Sequence, residues 1–324
     1  MTNSRRVDLA QVRTISIGTR KSKVSPGAFA RVFDPRSDSF AGFLDSLPHI
    51  LVANDFRSLV RDIIDARRRG KPVVWMMGAH VIKVGLAPLI VDLVRRDIVT
   101  AVAMNSAAAI HDVETAMWGH TSEDVAANLL DGRFGMARET GEFINDTLTA
   151  AYLSTDLGYG EALGRELHAR KAPNRRISVL ATCYELKVPA TVHAAIGTDI
   201  VHQQPSMNGA ATGELSHRDF RSLCHTCRGL RGGGVVLNIG SAVIMPEVFL
   251  KALTVARNLG ARARGFTTAV FDMNLHYRPT QNVQLRPTQD GGTGYYFVGH
   301  HEILIPLLAA SISTALKKGR VVWK

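Results

Sequence analysis

The sequence predicts an α/β fold, doubly wound, in which a mostly parallel sheet is covered by helices on both faces. Short runs that are apolar throughout recur along the chain, segments long enough for a helix separate them, and the residues after each run turn small, polar or histidine-rich. Strands apolar on both sides need cover on both sides, which is the pattern of a parallel sheet. This arrangement places ligands outside the carboxyl ends of the strands.

The elements follow in order. Residues 1–50 are polar, basic and weakly periodic and read as an N-terminal arm, ahead of one domain over residues 51–324. Asn54 and Asp55 predict a helix cap, and Phe56, Leu59, Val60, Ile63 and Ile64 recur at helical spacing until Gly70. Val73, Val74, Trp75, Met76 and Met77 predict a buried strand ended by Gly78, and Leu86, Leu89, Ile90, Leu93 and Val94 trace the next helix. Further strands are expected over 99–104, 177–181, 190–195, 235–238 and 267–271, with a helix starting near Pro246. No repeat or long linker interrupts them.

Composition narrows the class. The 324 residues are 46% hydrophobic and 21% charged, which excludes a disordered chain and a coiled-coil rod. The three cysteines, Cys183, Cys224 and Cys227, are too few for a disulfide framework and point to a reducing compartment. No apolar run approaches the ~18 residues of a membrane span, and no apolar segment follows Arg5 and Arg6 as in a secretory leader, so a cytoplasmic location with no membrane partner is expected. Net charge is +11, but Arg5, Arg6, Arg13, Arg20, Lys21, Lys23 and Arg31 crowd the first tenth of the chain. No basic run is interleaved with aromatic residues, so no nucleic-acid partner is expected.

The candidate site residues lie where the predicted strands end. Six of the 12 histidines, His80, His111, His193, His276, His300 and His301, fall at or near such ends. Imidazole serves as base, anion donor or metal ligand, and equally as a structural hydrogen-bonder. Glu302, beside His301, orients an imidazole, acts as a base, or starts a helix favoured by its dipole. Gly232, Gly233 and Gly234 either admit a dinucleotide to the backbone or make a turn, and no G-x-G-x-x-G is present. Ser241 reads as a phosphate ligand at a helix N-terminus or as its cap. Lys83 reads as a phosphate contact or a solvated lysine. Tyr277, Tyr295 and Tyr296 line a pocket, a core or a subunit interface. Cys224 and Cys227 have the spacing of half a zinc site, but a second pair is missing, so no metal is expected.

Several segments together resemble the deoxyhypusine synthase family. They are Gly78-Ala79-His80-Val81-Ile82-Lys83-Val84-Gly85-Leu86, Met104-Asn105-Ser106-Ala107-Ala108-Ala109-Ile110-His111-Asp112 and Arg231-Gly232-Gly233-Gly234-Val235-Val236, then Arg286-Pro287 and Ile305-Pro306-Leu307-Leu308, over roughly residues 55–315. The resemblance implies a Rossmann-like, NAD-binding domain over residues 51–324, a homotetramer with sites between paired subunits, and oxidation of an amine such as spermidine with aminobutyl transfer through a lysine imine. Asp199 matches a family carboxylate that holds the polyamine, Asp112 is the last of a family acidic group, His300 aligns with an aspartate used toward the nicotinamide, and Asn238 aligns with a substrate-facing histidine. Together with the strand-end reading, this assigns catalysis to His111, His300 and Glu302 and substrate binding to Asp112, Asp199, Asn238, His276 and His301. NAD falls to Gly78, Ala79, His80, Lys83, Asn105, Ser106, Gly233, Gly234, Ser241 and Asn274.

The departures matter as much. After Arg286-Pro287 the family's Trp-Gly-Lys is replaced by Thr288-Gln289-Asp290-Gly291-Gly292-Thr293-Gly294-Tyr295-Tyr296, and the only lysines after Lys251 are Lys317, Lys318 and Lys324. A Schiff base requires a primary amine, so the family's nucleophile is gone from its place. Carboxylates are lost and imidazoles gained at the matched positions. The expected function is NAD-dependent amine or polyamine oxidation, with aminoalkyl transfer to a free amine in the homospermidine manner. The alternatives are a histidine-based enzyme using a metal or an anionic substrate, and a non-catalytic dinucleotide or metabolite binder.

Overall fold

The computed structural model describes residues 6–317, so Arg5, Lys318 and Lys324 lie outside the described residues. The chain divides into two compact units, Met1–Asn54 and Asp55–Lys324. In the first, α1 (Phe40–Ser46) is capped by Ser39, whose Oγ accepts from the Gly42 amide at 3.3 Å. Arg31 closes that unit by a two-pronged bond to Asp38 at 2.8 and 3.1 Å.

The second unit alternates strands and helices. After α2 (Leu51–Arg68) come β1 (Val73–Met77), α3 (Ala79–Lys83), α4 (Ala87–Arg95), β2 (Ala101–Asn105), α5 (Ser106–Trp118), α6 (Val125–Leu129), α7 (Arg138–Ser154), α8 (Tyr159–Ala169), α9 (Val179–Leu186) and β3 (Ala190–His193). The second half holds α10 (Gly209–Arg228), β4 (Val235–Ile239), α11 (Ile244–Asn258), β5 (Thr267–Asp272), α12 (Tyr277–Pro279), β6 (Thr293–Val298) and α13 (His301–Lys317). The six strands form one sheet in the order β3-β2-β1-β4-β5-β6, and every pairing is parallel. This is the doubly wound order, and its direction reverses at β1, between β2 and β4.

Burial follows from that order. Every residue of β1, β4 and β5 is buried, as the apolar runs require when helices cover both faces. Val74, Met76, Val236 and Val270 pack with Phe249 of α11 and with Phe266 into one core. Among the described residues, no helix is long and apolar enough to cross a membrane.

Two expectations fail for local reasons. Asn54 and Asp55 do not cap their helix but lie inside α2, because Leu51, Val52 and Ala53 extend the helix ahead of them. Residues 177–181 are not a strand: Ser178 Oγ accepts from the Ala181 amide at 3.0 Å and starts α9. An apolar run of that length does not distinguish helix from strand, and the capping serine decides. A strand that the sequence did not announce, the edge strand β6, is entered through the glycine-rich stretch before Tyr295 and Tyr296. Gly292 and Gly294 are needed there because a Cβ on either would run into the carbonyl oxygens of Phe266 and Gln284.

Candidate functional site

In a doubly wound sheet of this order the ligand crevice lies where the order reverses, outside the carboxyl ends of β1 and β4. The Gly78 amide donates to Ile239 O at 2.9 Å, and a Cβ at Gly78 would collide with the Gly240 carbonyl, so the two chains lie flush only with glycine. Gly240 has φ +61° and donates to Phe271 O at 2.9 Å. Behind it, Asn238 is wholly buried. Its Nδ2 donates to Ser241 O at 2.9 Å, while its Oδ1 has no partner. Ser241 Oγ accepts from the Met245 amide, in the first turn of α11, at 3.1 Å.

His301, at the start of α13, is buried beneath Gly240. A carbonyl only accepts, so the 3.2 Å contact to Phe271 O requires Nε2 to carry the hydrogen, which leaves the buried Nδ1 as an acceptor without a donor. The His80 ring lies 5.5 Å away, and burial, then the neighbouring His301, pulls its pKa below the ordinary value. On the β5 side, His276 sits 3.4 Å from Asp272, and the Asn274 carbonyl accepts from Tyr296 Oη at 2.8 Å. His300 and Glu302 form an exposed pair at 3.7 Å.

Beside the crevice, at the carboxyl ends of β2 and β3, lies a cavity of about 770 Å³ lined by Lys83, His111, Glu114, Thr121, Thr140 and Asp199. Its floor is α5, which begins where Asn105 Oδ1 accepts from the Ala108 amide at 3.0 Å. Ser106 Oγ donates to Asp199 Oδ2. Burial pushes the Asp199 carboxyl above the ordinary range, against the pull of Ser106. Glu114 accepts from Thr121 through Oε2 and from Thr140 through Oε1, the latter at 3.0 Å. His111 Nδ1 lies 2.6 Å from Thr121 Oγ1, and burial pulls the His111 pKa down. Lys83 depresses both His80 and His111, so its charge sits between crevice and cavity.

The structure thus brings Gly78, Ala79, His80, Asn238, Ser241 and His301 to the crevice, and Lys83, His111 and Asp199 to the cavity wall, with Ser106 behind Asp199 and Asn105 at the α5 cap. His276, Asn274, His300 and Glu302 stand beyond the crevice at the β5 and α13 ends. Asp112 is not in the site. It is buried, and it accepts from Ser178 Oγ at 2.6 Å, the Val179 amide at 2.8 Å and the Leu180 amide at 3.0 Å, holding the start of α9. Gly233 and Gly234 precede β4 at the amino edge of the sheet, where Gly233 borders a separate hollow with Arg69, away from Gly78 and Ser241. His193 is buried, and desolvation holds it neutral with a pKa of about 4. Cys224 and Cys227 lie in the core.

Glu114, Thr121 and Thr140 were not expected. The available signal is the spacing of His111 and Glu114, three apart on one helix and therefore on one face. Thr121 and Thr140 arrive from the connection after α5 and from α7, and no local pattern marks them.

No protein-family model and no curated protein matches the chain. Among solved structures, it is similar to AgrE in its ternary complex with ornithine and NAD+, at a TM-score of 0.55 and 15% identity, covering 89% of this chain and 35% of AgrE. A conserved Methanococcus maripaludis S2 protein assigned as LOR/SDH matches at a TM-score of 0.52 and 14% identity over 81% of this chain and 70% of its own. A protein from Entamoeba histolytica assigned as a deoxyhypusine synthase matches at a TM-score of 0.51 and 12% identity, over 87% and 96%. At these identities the likeness is one of fold, and the chain has the doubly wound α/β fold that these structures share.

Proposed function

We propose that the chain is an NAD-dependent enzyme that oxidises a small amine, held as its ammonium in the cavity beside the crevice. One observation carries this reading: Glu114 and Asp199 line the cavity with hydroxyls as side-chain hydrogen-bond partners, and Lys83, the one lysine on its wall, forms no ion pair with either. A poorly hydrated carboxylate without a cation is costly, and an ammonium ligand supplies the missing charge. The carboxylates lost at the matched positions are in effect replaced by others.

NAD is supported by the fold and by the crevice. Unmet polar atoms at Asn238 Oδ1 and His301 Nδ1, beneath the carboxyl ends of β4 and β5, fit a polar ligand lying over β1 and β4. Gly78, Ala79, His80, Ser241 and Asn274 are the residues that would hold it; Asn105 already caps α5. When bound, NAD supplies an acceptor for the hydride from the carbon beside the amine nitrogen. AgrE, described with ornithine and NAD+, pairs the same cofactor with an amine-bearing ligand. The resemblance to the deoxyhypusine synthase family points the same way.

The chain's own groups divide the work. Asp199, oriented by Ser106, holds the ammonium. His111 accepts one proton from it, which frees the nitrogen lone pair that the departing hydride requires. Transfer of an aminoalkyl group to a second free amine extends this reading, as does a cytoplasmic homotetramer. Calorimetric titration with NAD, followed by the near-ultraviolet absorbance of NADH on adding spermidine, tests it. Saturable binding and amine-dependent absorbance are expected, and absence of NAD binding overturns the proposal.

A further inference from the structure

We infer that Glu114 and Thr121 are positioning residues for His111: they lock its imidazole in the Nδ1–H form and leave Nε2 as the proton acceptor toward the cavity. The argument is one of hydrogen count. Thr121 has a single hydroxyl hydrogen, and it is donated to Glu114 Oε2. Its oxygen can then only accept from His111 Nδ1, 2.6 Å away, so Nδ1 carries the hydrogen of the neutral ring. Nε2 is left with its lone pair, on a side chain that lines the cavity.

The carboxylate is itself held. Glu114 stands three residues beyond His111 on α5, and Thr140 of α7 fixes its other oxygen at 3.0 Å. The charges facing His111 are Glu114 on its own helix, Lys83 of α3 and Asp199. Glu114 and Asp199 favour the imidazolium, while Lys83 and burial oppose it. When Nε2 takes a proton from a ligand ammonium, the Nδ1 hydrogen stays in place. Glu114, reached through the Thr121 hydroxyl, then stabilises the cation without itself being protonated. The same logic orients histidine in other acid–base sites.

This inference rests on the amine reading only for the identity of the proton donor, and its test separates the two. Long-range 1H–15N spectra of the full chain carrying 15N-histidine, with the His111 signal assigned from His111→Gln, report tautomer and titration midpoint. The wild type is expected in the Nδ1–H form. Glu114→Gln should lower the midpoint by about 1 pH unit, Thr121→Val should mix the tautomers, and Thr121→Ser should restore both properties. An Nε2–H wild-type ring, or Glu114→Gln and Thr121→Val spectra unchanged from wild type, overturns the relay. A wild type that shows the expected tautomer and shifts, yet no spermidine-dependent NADH, supports the relay and overturns the amine reading.

Discussion

Replacing Asp112 with alanine separates a structural carboxylate from a substrate-binding one. Its side chain is 1% exposed and accepts three hydrogen bonds, from Ser178 Oγ and from the amides of Val179 and Leu180. Removing it strands three donors at the start of α9. One buried unsatisfied donor costs about 1–3 kcal/mol, and partial relaxation makes the sum less than additive, so about 3–5 kcal/mol is expected. Unfolding entropy of about 2.1 cal/mol/K per residue gives roughly 0.7 kcal/mol/K for this chain length, so Tm should fall by about 4–7 °C. Thermal denaturation followed by circular dichroism measures this, and spermidine calorimetry on the folded variant should give the wild-type affinity. An unchanged Tm combined with a tenfold loss of spermidine affinity would refute the capping role and return Asp112 to the substrate site.

Other consequences follow from the same geometry. Gly78→Ala forces a Cβ into the Gly240 carbonyl, should cost about 1–3 kcal/mol, and should weaken NAD binding measured by calorimetry. Gly234→Ala brings a Cβ within 2.8 Å of Leu230 Cα at the opposite edge of the sheet, so it should lower Tm while leaving NAD affinity intact; a selective loss of NAD would contradict that placement. His193 should make stability pH-dependent. Its folded pKa of about 4 lies below the ordinary 6.5, so the unfolded chain takes up a proton that the folded chain refuses. The stability is complete above 6.5 and is lost as pH falls through about 4, by at most roughly 3 kcal/mol. His193→Gln should flatten that part of the pH–Tm curve, and an identical slope in variant and wild type would count against it.

What the sequence disclosed depended on whether its signals were local. The buried strands β1, β4 and β5 were legible because each is apolar on both sides, and their carboxyl ends located His80 and Ser241, as the ends of β2 and β3 located His111 and Asp199. β6 was not legible, since an exposed edge strand entered through Gly291-Gly292-Thr293-Gly294 has the composition of a turn; its glycines answer to backbone in other segments. The role of Asp112 was misread for the same reason. It stands one residue after His111, but helical geometry turns it about 100° away, into the core and onto α9. Glu114 and Asp199 became partners of one cavity through tertiary packing across 85 residues of sequence, which no spacing rule reports.

The central claim is that an ammonium completes the charge of Asp199 and Glu114. Calorimetric titration of spermidine into the full-length chain, with the Asp199→Asn variant alongside, tests it most directly. Saturable binding that weakens about 10- to 100-fold in the variant is expected, the scale of one charge-assisted hydrogen bond. No binding to the wild type, or equal affinity in the two proteins, would contradict it.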